Sequence, residues 1–121
     1  MKFRVYYDAT DAGKVMYHTE YLKFCEEARS EIFFKNNIFF ENEGYVVKEL
    51  NAKFLKPAKL GDIIEVKTKI KKILNASIKA TQTIYKDNEE IFILNITLVF
   101  IKNNKISKIP LSHKKILDEY S

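Results

Sequence analysis

Residues 6–21 read YYDATDAGKVMYHTEY, and this stretch decides how the chain is expected to fold. Phe3 to Tyr7 is rich in valine and aromatic residues, which is typical of a short β-strand. The glycine at position 13 then indicates a loop in the segment around it. From about Thr19 to Asn36, apolar residues recur at spacings of three and four, as on the buried face of an α-helix. Thr19 is the expected N-cap of that helix.

The same stretch collects groups that suit acyl transfer. A helix start offers unpaired backbone N–H groups and partial positive charge, which would stabilise a carbonyl oxygen that acquires negative charge. His18 stands at the expected helix start, and the acidic pair Asp8 and Asp11 lies just before it. A carboxylate from this pair would serve as base or nucleophile.

Four further strands are predicted after the helix, at Tyr45–Leu55, Ile63–Ile73, Ser77–Lys86 and Ile91–Ile101. Strands so closely spaced pair most simply antiparallel, with the single helix packed on one sheet face. The last of them is apolar on both faces, which predicts that a second subunit covers part of the sheet. Ser112 to Tyr120 is either a short terminal helix or a frayed tail.

Composition bounds the class of protein. With 121 residues, 46% of them hydrophobic, residues 1–121 are expected to form a single domain with an ordered core. The net charge of +5 favours anionic partners, but the lysines form no concentrated tract, so nucleic-acid binding is not expected. No signal peptide or bilayer-length apolar run is evident, which makes the cytoplasm the expected compartment. The lone Cys25 is expected in the core, and no metal site is predicted.

With these motifs the chain resembles the hot-dog fold, an α+β architecture in which a curved antiparallel sheet wraps around one long helix. More narrowly, it resembles the YbgC/4-hydroxybenzoyl-CoA thioesterase family of acyl-CoA thioesterases. The resemblance is carried by Val5-Tyr6-Tyr7, Thr10-Asp11-Ala12-Gly13, Val15-Met16-Tyr17-His18, Tyr21-Leu22-Lys23-Phe24, Glu26-Glu27-Ala28-Arg29 and Pro57 to Val66. Two positions depart from the family pattern, because Ala9 replaces a frequent Asp and Lys14 replaces a common Gly.

The resemblance implies hydrolysis of the thioester of an acyl-CoA, or of an acyl carrier protein. It assigns Asp11 as general base or nucleophile and the backbone N–H of His18 as oxyanion donor. For the His18 ring and for Tyr7, a part in catalysis and a plain structural role both remain open. For Asp11 the structural alternative is capping of a backbone N–H in the turn.

No cofactor is implied, because coenzyme A enters as part of the substrate. Lys14, Lys56 and Lys59 are candidates to meet its phosphates. The resemblance also implies a homodimer or homotetramer with the acyl pocket between subunits.

Two rival functions remain at this point. A non-catalytic acyl-CoA-binding module of the same fold would be indifferent to Asp11→Asn. A hot-dog hydratase or dehydratase fits poorly with the spacing from Asp11 to His18. Two local expectations complete the set: Glu26 and Arg29 pair three residues apart on the helix, and His113 has no partner.

Overall fold

The computed structural model describes all 121 residues, Met1 to Ser121. In chain order the elements are β1 (Lys2–Arg4), α1 (His18–Phe34), β2 (Glu43–Phe54), β3 (Ile63–Ile73), β4 (Ser77–Lys86), β5 (Glu89–Lys102), β6 (Lys105–Ile106) and α2 (Leu111–Asp118). The strands form one curled antiparallel sheet in the order β1-β3-β4-β5-β2, with the short β6 beside β5. This confirms the predicted α+β architecture, and the terminal segment is a helix.

Side-chain alternation explains why the central strands form where they do. β3 and β4 have the predicted bounds, and β4 turns Ile78, Ala80, Gln82 and Ile84 to the buried face. β5 also buries every second residue, from Phe92 to Phe100, while most of its opposite face is half-buried. The turns that follow β4 and β5 are asparagine-rich with positive φ angles, at Asp87-Asn88 and Asn103-Asn104, as two-residue hairpins require.

The α1 helix supplies the other half of the core. Its buried residues Tyr21, Phe24, Cys25, Ala28, Ile32 and Phe33 largely match the predicted spacing. Cys25 is fully buried, and burial raises the pKa of its thiol to about 12, which keeps it protonated and unreactive. The expected N-cap is wrong, because α1 begins at His18 and Tyr17 occupies the cap position without a side-chain hydrogen bond.

The chain enters α1 through a turn where a longer strand was expected. β1 ends at Arg4, and Tyr7–Ala9 forms one turn of 3-10 helix, so the predicted strand to Tyr7 is wrong. The turn aims the Ala9 carbonyl at the N–H of Tyr17, which donates to it at 3.0 Å. That bond closes the loop between the turn and the helix.

A buried amide ties α1 to the sheet. Gln82 Nε2 donates to the Cys25 carbonyl at 2.9 Å and to Thr68 Oγ1 at 3.0 Å, and its Oε1 accepts from Arg29 Nη1 at 2.8 Å. Arg29 therefore bonds to Gln82, and the expected ion pair with Glu26 does not form within 4.0 Å. Satisfying the amide offsets the large penalty of burying it.

The α2 helix is anchored through His113, for which the sequence predicted no partner. The His113 ring is 3% exposed, and its Nδ1 lies 2.9 Å from the Tyr45 hydroxyl of β2. Burial lowers the pKa of His113, although the Glu43 carboxylate 4.0 Å from Nε2 opposes that effect. Neither α1 nor α2 combines the length and the apolarity that a membrane-spanning helix needs.

Candidate active site

The Asp11 carboxylate closes the loop before α1 with only one of its oxygens. Its Oδ1 accepts from the N–H of Gly13 at 2.8 Å and from the N–H of Val15 at 3.2 Å. Its Oδ2 makes no hydrogen bond within the chain, and the residue is exposed. A Cβ added at Gly13 would lie 3.3 Å from Oδ1, which favours glycine there. The capping role and a free reactive oxygen are therefore compatible.

Lys14 occupies the position where the family pattern favours glycine, and its backbone explains that preference. Its φ of 61° is left-handed, a conformation that a residue other than glycine adopts at a cost of about 1 kcal/mol. The Lys14 N–H donates to the Asp11 carbonyl at 2.9 Å, and its own carbonyl accepts from Leu60 at 2.9 Å. The loop is thus held between α1 and the segment before β3.

The start of α1 presents free donors beside an apolar groove. The N–H groups of His18 and Thr19 have no acceptor within the chain, as at most helix starts. The His18 ring stacks on Phe54 with centroids 4.5 Å apart and makes no hydrogen bond. A groove of about 210 Å³ runs past this ring, between Met16 and Leu55. An acyl chain or a pantetheine arm suits such a surface.

Tyr21 lines that groove and holds the neighbouring Ala58 segment in place. Its ring is buried, and its hydroxyl accepts from the N–H of Ala58 at 2.9 Å. No local pattern in the sequence indicates this hydrogen bond, because its two residues lie 37 positions apart. The Phe54 contact with His18 was missed for the same reason.

The three side chains predicted for catalysis share no hydrogen bond in the chain. Asp11 and His18 stand at the two ends of one loop, and both are exposed. Tyr7 is 69% exposed, and its phenol makes no hydrogen bond. The chain thus presents Asp11 and the helix start on one loop, while the Tyr7 ring faces solvent.

The candidate lysines differ in their availability for phosphate. Lys56 pairs with Glu89, whereas the ammonium groups of Lys14 and Lys59 have no carboxylate within 4.0 Å. The backbone N–H of Lys59 donates to Asp62 Oδ2 at 2.7 Å, so the Asp62 carboxylate closes this turn. Of the three candidates, Lys14 and Lys59 are therefore the two that no carboxylate neutralises.

The sequence profile of the Thioesterase superfamily matches residues 13–93. The chain belongs to this superfamily. The matched range contains His18 and begins two residues after Asp11.

Named relatives in the superfamily come from several bacteria. The acyl-CoA thioesterase YbgC of Helicobacter pylori is 46% identical over 87 residues, a match covering 70% of this chain and 65% of the relative. The chain therefore spans about two thirds of that relative's length. The acyl-CoA thioester hydrolase YbgC of Escherichia coli is 36% identical over 103 residues, covering 81% of this chain and 75% of the relative.

The fold itself is shared with solved thioesterases. A 1,4-dihydroxy-2-naphthoyl-CoA thioesterase from Synechocystis superposes with a TM-score of 0.88, covering 98% of this chain and 94% of the other. At 17% sequence identity this likeness shows the fold alone. The hot-dog fold predicted from the sequence is confirmed.

Proposed function

We propose that this protein is an acyl-CoA thioesterase, which hydrolyses an acyl thioester to the free acid and the thiol. Membership of the superfamily and the two YbgC relatives support this assignment. The observation that carries it is the geometry of Asp11. Its carboxylate is oriented by two N–H groups through Oδ1, keeps Oδ2 free, and shares a loop with the unbonded N–H groups at the start of α1.

The proposed reaction divides between the two ends of the loop. Asp11 Oδ2 either takes a proton from the attacking water or attacks the thioester carbonyl itself, forming a mixed anhydride that water then cleaves. In both routes the carbonyl oxygen becomes negative and is stabilised by the His18 N–H. Collapse of this intermediate breaks the C–S bond and expels the thiolate, which takes a proton from Asp11 in the base route and from water in the nucleophilic route, where this step forms the anhydride. No metal ion is required by either route.

Coenzyme A is the proposed thiol carrier, with acyl carrier protein as the other possible substrate class. The apolar groove beside His18 would receive the pantetheine arm or the start of the acyl group. Lys14 and Lys59 would meet phosphates, because their ammonium groups have no carboxylate partner. Charged phosphate contacts of this kind strengthen binding without taking part in the chemistry.

A second copy of the chain is the proposed partner of β2. This twelve-residue strand is a sheet edge, and it exposes Val46, Val47 and Leu50 by 44–55%. A long apolar edge is a template for pairing with another strand. Light scattering should report a dimer or larger assembly. Leu50→Lys should shift it towards monomer, whereas Ile106→Lys on the 70% exposed β6 should not.

A substrate panel tests the function directly. Short-chain, long-chain and aromatic acyl-CoA thioesters are incubated with the protein, and thiol release is followed with a chromogenic thiol reagent. Release that follows the protein concentration supports the proposal. A folded protein that binds acyl-CoA yet releases no thiol from any substrate would instead be a non-catalytic binding module.

A further inference from the structure

A second cavity lies between the second half of α1 and the middle of the sheet. Its volume is about 300 Å³, and ten of its fifteen lining residues are hydrophobic. The apolar part of the wall includes Phe33, Phe40, Ile70, Ala80, Leu98 and Leu117. Arg29, which also lines it, follows His18 by eleven residues, or roughly 16 Å along the helix axis. The cavity is thus separate from the groove at the helix start.

Arg29 brings a positive charge to this apolar space. Only one of its N–H groups donates within the chain, from Nη1 to Gln82, and no carboxylate lies within 4.0 Å. Burial lowers the pKa of Arg29, with Cys25 and Glu26 opposing that shift, but a guanidinium remains charged in proteins. The side chain is half-buried, and its other N–H groups have no acceptor within the chain.

The walls of the cavity are held in place by contacts among the lining residues and with the residues behind them. Phe33 stacks on Tyr45 with centroids 5.3 Å apart and planes 25° apart, and the Tyr45 hydroxyl is bonded to the buried His113. Gln82, fixed by two donated hydrogen bonds, holds the Arg29 fork. A preformed apolar pocket with one oriented charge is the usual form of a small-molecule site.

We propose that this cavity binds a free carboxylic acid whose hydrocarbon or aryl body fills the apolar part. A guanidinium fork matches the two oxygens of a carboxylate, and such bidentate pairs are among the stronger hydrogen bonds. At about 30 Å³ for each water-sized unit, 300 Å³ accommodates roughly ten non-hydrogen atoms. Octanoate has that size. The Glu26 carboxylate also lines the cavity and opposes the binding of an anion.

Octanoate and 1-octanol are the matched probes, because they share chain length and differ in charge. Titration of methyl-labelled protein should show saturable shifts at Ile70 and Leu98, with octanoate binding at least tenfold more tightly than octanol. Three results would each overturn the proposal: equal affinity for the two probes, no saturation, or shifts confined to Val15 and Leu55 in the groove beside His18.

Three variants test whether the probe binds in the cavity. Arg29→Gln keeps a donor for Gln82 but removes the charge. It should weaken octanoate binding at least tenfold while leaving the affinity for octanol unchanged. Ala80→Leu fills the cavity and should abolish binding of both probes. Glu26→Gln should raise the affinity for octanoate, because it removes the carboxylate that opposes the binding of an anion. If Arg29→Gln does not fold, the proposal is tested by the Ala80→Leu variant and by the comparison of the two probes on the wild type. Unchanged octanoate affinity in Ala80→Leu would contradict binding in this cavity.

The choice of an acid as occupant rests on the proposed function, whose product is a carboxylic acid. The binding measurement itself involves no thioester, so the two proposals fail separately. Thiol release without octanoate binding overturns the cavity proposal and leaves the thioesterase. Octanoate binding at Ile70 without thiol release from any acyl-CoA leaves the cavity proposal and removes the thioesterase.

Discussion

Asp11 and Asp62 each close a turn with one carboxylate oxygen, yet only Asp62 is also paired with a cation. Asp62 Oδ2 accepts from the Lys59 N–H at 2.7 Å and lies 2.9 Å from Lys86 Nζ. Burial alone would raise the pKa of Asp62, but the Lys86 ammonium and the Lys59 N–H outweigh it and hold the pKa below its ordinary value. Asp11 has two N–H donors, no cation within 4.0 Å and a free Oδ2.

The difference shows that an aspartate that closes a turn need not have a purely structural role. Asp62 directly follows Gly61, Asp11 precedes Gly13 by two residues, and both carboxylates accept from backbone N–H groups. What separates them is the cation, because Lys86 Nζ lies 2.9 Å from Asp62 whereas no cationic side chain lies within 4.0 Å of Asp11. A carboxylate paired with an ammonium group is a poor base, whereas one held by backbone N–H groups alone is oriented and not neutralised.

The largest effect is expected from Asp11→Asn. The amide oxygen can still accept from Gly13 and Val15, so the free energy of unfolding should stay within about 0.5 kcal/mol of wild type. The loss of the carboxylate should lower kcat/KM for acyl-CoA by about 100-fold or more. Thiol-release kinetics and urea denaturation measure the two quantities.

Asp8→Asn is the matched control for that variant. Asp8 is exposed on the same segment, and its side chain makes no hydrogen bond, so activity should equal wild type. Equal losses from Asp8→Asn and Asp11→Asn would point to the charge of the loop as a whole. Full activity in Asp11→Asn would place Asp11 with Asp62 as a structural residue.

His18→Ala is expected to have a smaller effect, a loss in kcat/KM of less than about tenfold. The backbone N–H, which is the proposed oxyanion donor, is retained, and only the stacking of the ring on Phe54 is removed. The same kinetic assay decides. A loss as large as that of Asp11→Asn would mean that the imidazole takes part in the chemistry.

Asp62→Asn should change stability and leave activity nearly intact. Loss of the ion pair should lower the free energy of unfolding by about 1 kcal/mol at neutral pH. Because the folded-state pKa lies below the unfolded value, this contribution is present above the unfolded pKa, about 4, and is lost as the pH falls through the folded pKa. Urea denaturation of both proteins at neutral pH and near pH 3 should therefore show the difference shrinking in acid.

Lys86→Met should have the smallest effect, about 0.5 kcal/mol or less. The Lys86 side chain is 31% exposed, and partly exposed ion pairs contribute little. A double-mutant cycle with Asp62→Asn measures the coupling. A coupling near zero would remove Lys86 as the feature that distinguishes the two aspartates.

The elements that the sequence predicted well are those governed by local patterns. The alternating strands Ile63–Ile73 and Ser77–Lys86 have the expected bounds, because turn residues delimit them and one face must be buried. The α1 helix was placed to within two residues at each end for the same reason. The pairing of β2 with β5 needs long-range contacts that no local pattern contains.

At other positions, contacts with residues far away in the sequence replace the contacts that local spacing predicted. Arg29 was expected to pair with Glu26 three residues away, but Gln82, 53 residues away, takes its place. His113 bonds with Tyr45 across 68 residues. The catalytic roles of Asp11, His18 and Tyr7 remain predictions, since one chain shows where these residues lie and leaves their chemistry to the assays above.

The two-residue turn at Asp87-Asn88 also bears on the order in which the sheet assembles. It lets β4 and β5 meet with very little loop to close, whereas Phe54 of β2 must find Phe92, 38 positions away. Pairings between distant segments form slowly, so β2 is expected to dock after β4 and β5 have paired. Pulsed hydrogen exchange during refolding should protect β4 amides before β2 amides. Until β2 docks, a newly made chain has an open edge on β5, and that interval is when it is most exposed to association with the wrong strand.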